Sequence, residues 1–232
     1  MIPLDIQRVT QPFDGVYKFL IDGHWYLATQ NLTAGITFYG EQIYEYEGVE
    51  YRSWNPTRSK LSAAIMNGIN TIPIMEGKKV LYLGVASGTT CSHISDIIGS
   101  IGHVWAVDFA PRSLRDFLDK VASHRTNVSP ILGDARNPGQ YSALVPEVNI
   151  IYADVAQPDQ AEIVIENSRF FLEDNGWIML CVKARSIDVR KKPKEIFTAQ
   201  EKLLNEAGFR TVEVLGLEPY EKDHAMIIAQ MS

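Results

Sequence analysis

Three aspartates each end an apolar run that predicts a β-strand. They are Asp108, Asp134 and Asp154. If the strands run parallel, their carboxyl ends share one edge of the sheet, where such folds bind ligands. Carboxylates there can accept hydrogen bonds from ribose hydroxyls. Asp108 follows the strand predicted at residues 79–83 at about the sequence distance at which nucleotide-binding α/β folds place a ribose-binding carboxylate. Each aspartate could instead cap the helix that follows it, although three successive caps explain the pattern less well.

A turn rich in small residues follows the strand predicted at residues 79–83. It reads Gly84-Val-Ala86-Ser-Gly88-Thr89-Thr90. Small residues let a ligand approach the backbone, although purely steric needs could also explain them. A dinucleotide fingerprint needs three glycines, whereas this turn has two with Ala86 between them. The nearby aspartates suit a cationic sulfonium, so the pattern favours S-adenosylmethionine over a nicotinamide dinucleotide.

From residue 55 onward, strand patterns alternate with helix patterns, which indicates a parallel, doubly wound α/β sheet. No helix separates the last two strands, so we expect the last strand to be antiparallel. This arrangement predicts the Rossmann-like, seven-stranded, mostly parallel fold of S-adenosylmethionine-dependent methyltransferases. The expected strands are 79–83, 103–108, 128–133, 148–154, 177–183, 210–217 and 224–231, and the expected helices are 59–68, 90–98, 113–124, 159–172 and 193–207.

The first 54 residues differ in composition from the rest of the chain, because aromatic residues are interleaved among polar ones. Residues 16–30 and 42–52 are predicted to form antiparallel hairpins that turn at Asp22-Gly23 and Glu47-Gly48. The chain is therefore predicted to comprise a small β-rich domain, residues 1–54, and a larger domain, residues 55–232.

Composition limits the classes of protein and ligand. The net charge of -6 argues against independent nucleic-acid binding, and no apolar run is long enough to span a bilayer. The first residues carry no secretory or transit pattern, so a cytoplasmic location is expected. The two cysteines, Cys91 and Cys181, lie in apolar patterns, which predicts reduced thiols and no metal site.

Five strings of residues resemble one family, fibrillarin, and the likeness runs from about Trp54 to the end of the sequence. The string from Ala153 to Gln160 is highly specific. The Gly/Arg-rich extension of eukaryotic members is absent, so the chain looks like the archaeal form. The strings are Trp54-Asn-Pro-Thr-Arg-Ser-Lys-Leu61, Leu81-Tyr-Leu-Gly-Val-Ala-Ser-Gly-Thr-Thr90, Gly133-Asp-Ala-Arg136, Ala153-Asp-Val-Ala-Gln-Pro-Asp-Gln160 and Leu217-Glu-Pro-Tyr-Glu-Lys-Asp-His224.

The resemblance implies a set of S-adenosylmethionine contacts around the turn and the strand ends. Thr89 and Thr90 would line the methionine end. The family often has Glu in place of Asp108, but either carboxylate can accept two ribose hydrogen bonds. The remaining implied contacts are the turn residues Gly84, Ala86 and Gly88, then Asp108 and Phe109 at the ribose and adenine, Asp134 and Ala135 at the adenine, and Asp154, Val155, Ala156 and Gln157 near the sulfonium.

The resemblance also implies a catalytic tetrad of Lys60, Asp154, Lys183 and His224. It is similar to the Lys-Asp-Lys-Glu tetrad of other RNA 2′-O-methyltransferases, with His in the last place. A neighbouring lysine and the sulfonium would favour the neutral form of Lys183, which could then act as the base. Asp154 would position the ammonium groups, Lys60 the hydroxyl or a phosphate, and His224 would orient Lys183 or pass the proton on. Alternatively, Lys60 and Lys183 could be ordinary solvated charges, and His224 could be a surface residue or a core histidine with its hydrogen bonds satisfied.

The fibrillarin resemblance implies methylation of RNA ribose, in rRNA and possibly tRNA, at sites chosen by guide pairing. The implied partners are a box C/D guide RNA, the target RNA, a Nop-domain scaffold protein and a kink-turn-binding ribosomal-type protein. Two alternatives stay open: a non-catalytic scaffold, and methylation of a base or a protein side chain. The RNA-facing surface is predicted to comprise Arg52 and Arg58 with the basic run of Arg185, Arg190, Lys191, Lys192 and Lys194.

Overall fold

The computed structural model describes residues 6–232, which form two β-sheets. The smaller sheet is antiparallel, with strand order β1-β2-β3-β5-β4. Both predicted hairpins are present, and β1 adds an edge strand that the sequence did not predict. The five strands are β1 (Ile6–Phe13), β2 (Val16–Ile21), β3 (His24–Gln30), β4 (Ile43–Tyr46) and β5 (Val49–Ser53).

The larger sheet has seven strands in the order β11-β12-β10-β9-β6-β7-β8. Strands β6 to β10 are parallel, and β12 lies antiparallel between β10 and β11. This topology confirms the predicted fold class. The strands are β6 (Lys79–Leu83), β7 (His103–Asp108), β8 (Val128–Leu132), β9 (Val148–Ala153), β10 (Leu172–Lys183), β11 (Phe209–Gly216) and β12 (His224–Met231).

The described residues form six α-helices, of which the fifth in chain order is a single helical turn. Ser59 caps the first helix by accepting a hydrogen bond from the Ser62 amide. A helical turn over Ala184–Ile187 interrupts the basic run, where the sequence predicted no helix. The helices are α1 (Lys60–Met66), α2 (Thr89–Ile98), α3 (Pro111–Lys120), α4 (Gln160–Phe171), α5 (Ala184–Ile187) and α6 (Pro193–Glu206).

Each face of the larger sheet has its own apolar core. Helices α4 and α6 pack on one face, and α1, α2 and α3 pack on the other. Val16 and Leu27 of the smaller sheet, together with Trp54, belong to the second of these cores. The smaller sheet thus shares buried apolar contacts with the larger one, and a domain division after residue 54 stays a prediction.

A buried ionic cluster, comprising Glu41, Arg52, Asp96 and Arg125, lies where the smaller sheet meets α2. Arg52 is fully buried, and its guanidinium donates to Asp96 at 2.8 and 3.0 Å and to Glu41. Arg125 contacts the other oxygen of Asp96 at 2.6 Å. The prediction that Arg52 faces RNA is therefore wrong, because its side chain is enclosed by its own counterions.

Two further properties concern residues 6–232 alone. No helix in this part of the chain has the length and apolar character needed to cross a membrane. Nor do its His, Cys, Asp and Glu side chains form a group that could hold a metal ion. Cys91 and Cys181 are both free thiols within the apolar cores, and burial raises the pKa of each.

Candidate active site

A cavity of about 260 Å³ lies at the carboxyl ends of the central parallel strands. We refer to it as the strand-end cavity. It brings together most of the residues that the sequence predicted to bind the cofactor. Those lining it are Gly84, Ala86, Asp108, Phe109, Asp134, Ala135, Asp154, Val155, Ala156 and Gln157.

Asp108 lines the strand-end cavity and accepts hydrogen bonds from two backbone amides. One of its carboxylate oxygens accepts a hydrogen bond from the Ala86 amide at 2.8 Å, and the other accepts from the Ala110 amide at 2.9 Å. The carboxylate thereby joins the small-residue turn after β6 to the start of α3. Because each carboxylate oxygen has further lone pairs, Asp108 keeps capacity to accept from a ligand hydroxyl.

Gly84 lines the strand-end cavity where the turn after β6 approaches the backbone of Asp154. Its φ is +82°, and a Cβ there would lie 2.5 Å from the carbonyl oxygen of Asp154. A larger residue would force apart the ends of β6 and β9. Gly84 therefore keeps Asp154 next to the cavity.

Gly88, Thr89 and Thr90 do not line the strand-end cavity. A Cβ at Gly88 would lie 2.3 Å from the Phe117 ring, so this glycine permits α2 to pack on α3. Thr90 is buried, and its hydroxyl lies 2.9 Å from that of Ser59. Thr89 lines a neighbouring cavity of about 330 Å³. Contact of these three residues with the methionine end stays a prediction.

The Asp154 to Gln157 loop is held by a residue to which the sequence analysis assigned no role. Arg136 donates to Asp159 at 2.6 and 2.7 Å and to the Gln157 side chain at 2.9 Å. Asp134, in turn, accepts a hydrogen bond from the Arg136 amide at 3.0 Å. These hydrogen bonds connect two of the family-like strings, the one around Asp134 and the one around Asp154. The sequence signal for Arg136 was its place in the first of these strings.

Lys60 and Asp154 form an ion pair at the edge of the strand-end cavity. The lysine Nζ lies 2.9 Å from a carboxylate oxygen, and about a fifth of each side chain remains exposed. Burial is the largest influence on the pKa of Lys60 and lowers it, but the combined effects of Asp154, Cys181 and Glu221 outweigh burial, so the net pKa is raised. Lys60 is accordingly a charged donor at neutral pH. Glu221, which the sequence analysis did not single out, also raises the pKa of Lys60.

Lys183 and His224 stand directly opposite one another at the ends of β10 and β12. The register between these antiparallel strands places both side chains on the same face of the sheet. The His224 Nδ1 lies 2.6 Å from the Lys222 carbonyl, to which it donates, leaving Nε2 for another partner. The four residues of the predicted tetrad therefore form two pairs at neighbouring strand ends, the ion pair of Lys60 with Asp154 and the cross-strand pair of Lys183 with His224.

Gln160 fixes the backbone at Lys183, although sequence reasoning did not assign it a role. Its fully buried side chain accepts from the Lys183 amide at 2.9 Å and donates to the Lys183 carbonyl at 3.3 Å. These two hydrogen bonds hold the end of β10 against the start of α4. The residue belongs to the most specific of the family-like strings, which was the only sequence signal.

The predicted basic surface lies beside the tetrad. Arg185 pairs with Asp223 at 2.9 Å, which ties the basic run to the residue before His224. Arg58 is exposed near the start of α1. The five cations of the basic run are all exposed, namely Arg185, Arg190, Lys191, Lys192 and Lys194.

Comparisons with known proteins identify the family to which this fold and its sequence strings belong. The Fibrillarin family model matches residues 7–232. The fibrillarin-like rRNA/tRNA 2′-O-methyltransferase of Sulfolobus acidocaldarius is 52% identical over 228 residues, covering 97% of this chain and 98% of that protein. Aeropyrum pernix fibrillarin with natively bound S-adenosyl-L-methionine has a TM-score of 0.89 at 48% identity, covering 97% and 99% of the two chains. A chain of a fibrillarin/Nop5p complex has a TM-score of 0.84 at 38% identity, covering 94% and 98%. This chain belongs to the fibrillarin family.

Proposed function

We propose that this protein transfers a methyl group from S-adenosylmethionine to the 2′-hydroxyl of RNA riboses. The observation that carries the proposal is the position of Asp154, which lines the strand-end cavity and also pairs with Lys60 at 2.9 Å. One carboxylate therefore connects the strand-end cavity to a cationic donor. A methyl donor on one side of Asp154 and an RNA hydroxyl on the other would meet at this edge.

The side chains that line the strand-end cavity fit S-adenosylmethionine. The charged ones are Asp108, Asp134 and Asp154, with no Lys, Arg or His among the lining residues. That charge suits a sulfonium cation and would repel the pyrophosphate of a dinucleotide. Phe109, 64% exposed, offers an aromatic surface to an adenine ring. The related Aeropyrum pernix fibrillarin, which binds this cofactor natively, supports the assignment.

The tetrad would provide the chemistry on the RNA side. S-adenosylmethionine supplies a methyl group bound to a positively charged sulfur. Lys183 accepts the proton of the 2′-hydroxyl as the ribose oxygen bonds to the methyl carbon and the carbon–sulfur bond breaks. Lys60, held by Asp154, positions the hydroxyl or a neighbouring phosphate. His224, opposite Lys183, orients that lysine or passes its proton on.

We infer that other molecules choose the target. A chain of net charge -6 with one local basic surface should bind RNA weakly, and salt should weaken that binding further. Pairing of a box C/D guide RNA with the target would select the ribose. A Nop-domain scaffold and a kink-turn-binding protein would hold the guide, and the related fibrillarin/Nop5p complex supports the first of these partners. Arg58 and the exposed basic run would then contact RNA already in place.

Mass spectrometry of target RNA after incubation with labelled S-adenosylmethionine tests the proposal. The complete particle, with guide RNA and both partner proteins, should label one ribose at the position that the guide specifies. The purified chain alone should give negligible product. Label on a base or on a protein would refute ribose methylation, absence of any label would favour the scaffold alternative, and efficient site-selective labelling by the chain alone would refute the role of the guide.

A further inference from the structure

The neighbouring cavity of about 330 Å³, which Thr89 lines, has a positively charged wall. Two of its lining side chains are cations, Arg58 and Lys120, and three others belong to serine or threonine. Among residues 6–232, no aspartate or glutamate lines it. We refer to it as the basic cavity. Its lining residues are Thr37, Phe38, Tyr39, Gly40, Arg58, Ser87, Thr89 and Lys120.

The basic cavity differs from the strand-end cavity in charge. The charged residues that line the strand-end cavity are three aspartates, whereas both charged residues that line the basic cavity are cations. The two cavities share no lining residue, since Ala86 of the turn after β6 lines the first and Ser87 lines the second. A cationic sulfonium suits the first cavity, and an anionic group suits the second.

Arg58 is held in place by Tyr39 and retains donors for an anion. Its guanidinium lies over the Tyr39 ring, 5.0 Å from the centroid, and donates to the Tyr39 carbonyl at 3.1 Å. Tyr39 is itself fixed, because its hydroxyl donates to the Ser53 carbonyl at 2.9 Å and lies 2.6 Å from the His93 Nε2. A guanidinium carries five N–H groups, so most of the Arg58 donors remain available. Holding the side chain in place lowers the entropic cost of binding.

Lys120, the last residue of α3, supplies the second positive charge. Its Nζ lies 3.9 Å from the Asp116 carboxylate, and 54% of the lysine side chain is exposed. An exposed pair at that distance contributes little, so Lys120 can turn to another anion at small cost. Ser87 and Thr89 add hydroxyl donors. Two cations beside hydroxyl donors match a phosphate group, which offers several acceptor oxygens.

The basic cavity adjoins the proposed reaction centre. Ser59 follows Arg58, and its hydroxyl lies 2.9 Å from that of Thr90 at the start of α2. Lys60 comes next and lies 2.9 Å from Asp154. Two residues of chain span at most about 7 Å, so the backbones of Arg58 and Lys60 lie within that distance of each other. An RNA strand whose ribose reaches Lys60 and Asp154 would therefore bring a backbone phosphate to Arg58.

We propose that the basic cavity binds a backbone phosphate of the target strand beside the methylated ribose. Arg58 and Lys120 neutralise the phosphate, and Ser87 and Thr89 donate hydrogen bonds to it. Such a contact is compatible with guide pairing, because base pairing leaves the phosphates on the outside of the duplex. Phosphate contacts fix the position of a strand without reading its sequence, so one site would serve every guide. This inference rests on the proposed function, since it assigns a substrate contact to that same reaction.

Neutral phosphate analogues test the inference in the complete guide particle. Target strands would carry one methylphosphonate, which lacks the phosphate charge, at successive linkages around the reacting ribose. A 2′-deoxy sugar on its 5′ side keeps the analogue stable, and the same strand with an ordinary phosphate is the reference. At one linkage the analogue should raise the dissociation constant of the target strand by about tenfold, the usual effect of losing a charge-assisted hydrogen bond.

The double variant Arg58→Gln/Lys120→Gln should bind the reference strand about tenfold more weakly than the wild type does. In this variant the analogue at the sensitive linkage should have no further effect, because the contact is already lost. The slope of log affinity against log salt concentration should fall by about one. Lys202→Gln is a matched control, since Lys202 is exposed on α6 and pairs with Glu206 one helical turn later, as Lys120 pairs with Asp116. It should bind both strands as the wild type does.

Calorimetry with S-adenosylmethionine separates the phosphate from the other anion within reach, the methionine carboxylate that Thr89 is predicted to contact. The double variant should keep its affinity for the cofactor. If it loses that affinity and the analogue acts equally on both proteins, the anion is the carboxylate and the inference is wrong. Equal effects of the analogue in both proteins at every linkage would overturn the inference as well, while ribose methylation by the wild type leaves the proposed function intact. Label on a base or a protein in the wild-type particle would instead refute the proposed function.

Discussion

Lys60 and Arg52 each pair with an aspartate, yet their surroundings differ. Arg52 and Asp96 are completely buried, whereas Lys60 and Asp154 keep about a fifth of their side chains exposed at the edge of a cavity. Removing charges from water is costly, so a buried pair must satisfy nearly all its hydrogen-bonding groups internally. A partly open pair can keep some of those groups for a ligand.

The hydrogen bonds of the two aspartates show this difference. The Asp96 carboxylate accepts hydrogen bonds from Arg52, from the Thr29 hydroxyl at 2.7 Å and from the Leu32 amide at 3.1 Å. It also forms an ion pair with Arg125 at 2.6 Å. For Asp154, the side-chain hydrogen bond found within residues 6–232 is the one from Lys60. Asp96 has no capacity left for a substrate, and Asp154 has. Similar residue types therefore serve stability in one region and the proposed chemistry in the other.

The largest expected effect is on catalysis. Lys183→Ala and Asp154→Ala should each lower the single-turnover rate of the complete particle by at least about a hundredfold, since they remove the proposed base and the residue that positions Lys60. Their unfolding temperatures should stay close to that of the wild type. Lys79→Ala, at an exposed lysine at the opposite end of the sheet, is the control and should retain full activity. Near-normal rates in both variants would mean that the tetrad is misassigned.

A substitution in the buried ionic cluster should lower the stability of the fold, whereas the Lys183 and Asp154 variants should lower the reaction rate and leave stability nearly unchanged. Asp96→Asn leaves Arg52 and Arg125 buried with less counter-charge, and breaking such a cluster typically costs about 3–5 kcal/mol. Urea denaturation should therefore give a free energy of unfolding lower by about that amount. Asp116→Asn, at an exposed aspartate 3.9 Å from Lys120, should change it by less than about 1 kcal/mol. A similarly small loss for Asp96→Asn would show that full burial does not distinguish the two regions.

The affinity for the cofactor should depend more on Asp108, which lines the strand-end cavity, than on Lys183, which we propose lies on the RNA side. Asp108→Ala removes the carboxylate expected to bind the cofactor ribose, and calorimetry should find S-adenosylmethionine binding weakened by about tenfold or more. Lys183→Ala should weaken it less, because Lys183 is proposed to act on the acceptor hydroxyl and does not line the strand-end cavity. Asp108→Glu should retain binding, since it keeps the carboxylate. Equal losses in Asp108→Ala and Lys183→Ala would contradict the assignment.

The smallest expected effect concerns the Lys60–Asp154 pair and pH. Because the folded-state pKa of Lys60 is raised above its ordinary value of 10.5, the pair stabilises the fold from neutral pH up to 10.5. That contribution is lost as the pH rises through the folded-state pKa. Lys60→Met should thus be less stable than the wild type by about 1 kcal/mol or less near neutral pH. In denaturation series the difference should shrink above pH 10.5, and a difference that grows there would have the wrong sign.

Local patterns predicted most of the fold. The expected strands at residues 79–83, 103–108 and 224–231 coincide with β6, β7 and β12, because alternating apolar runs and turn residues mark strand limits within a few positions. The antiparallel last strand followed from the missing helix before it. The pattern of β1 was too polar to predict a strand, and its pairing with β2 became evident only in three dimensions.

The site was predictable where motifs marked it and unpredictable where distant residues define it. Asp108 and Asp154 could be placed at strand ends, and both line the strand-end cavity. Arg52 looked like a surface cation because it lies in a polar strand, and its burial depends on Asp96 and Arg125, which are far away in sequence.

The interior position of β12 has a consequence for biosynthesis. This strand is made after β10 and β11, yet it lies between them and pairs with both. While the ribosome is still producing β11, the neighbouring place in the sheet is empty, and His224 does not yet stand opposite Lys183. A growing polypeptide would therefore be catalytically silent until β12 emerges and inserts.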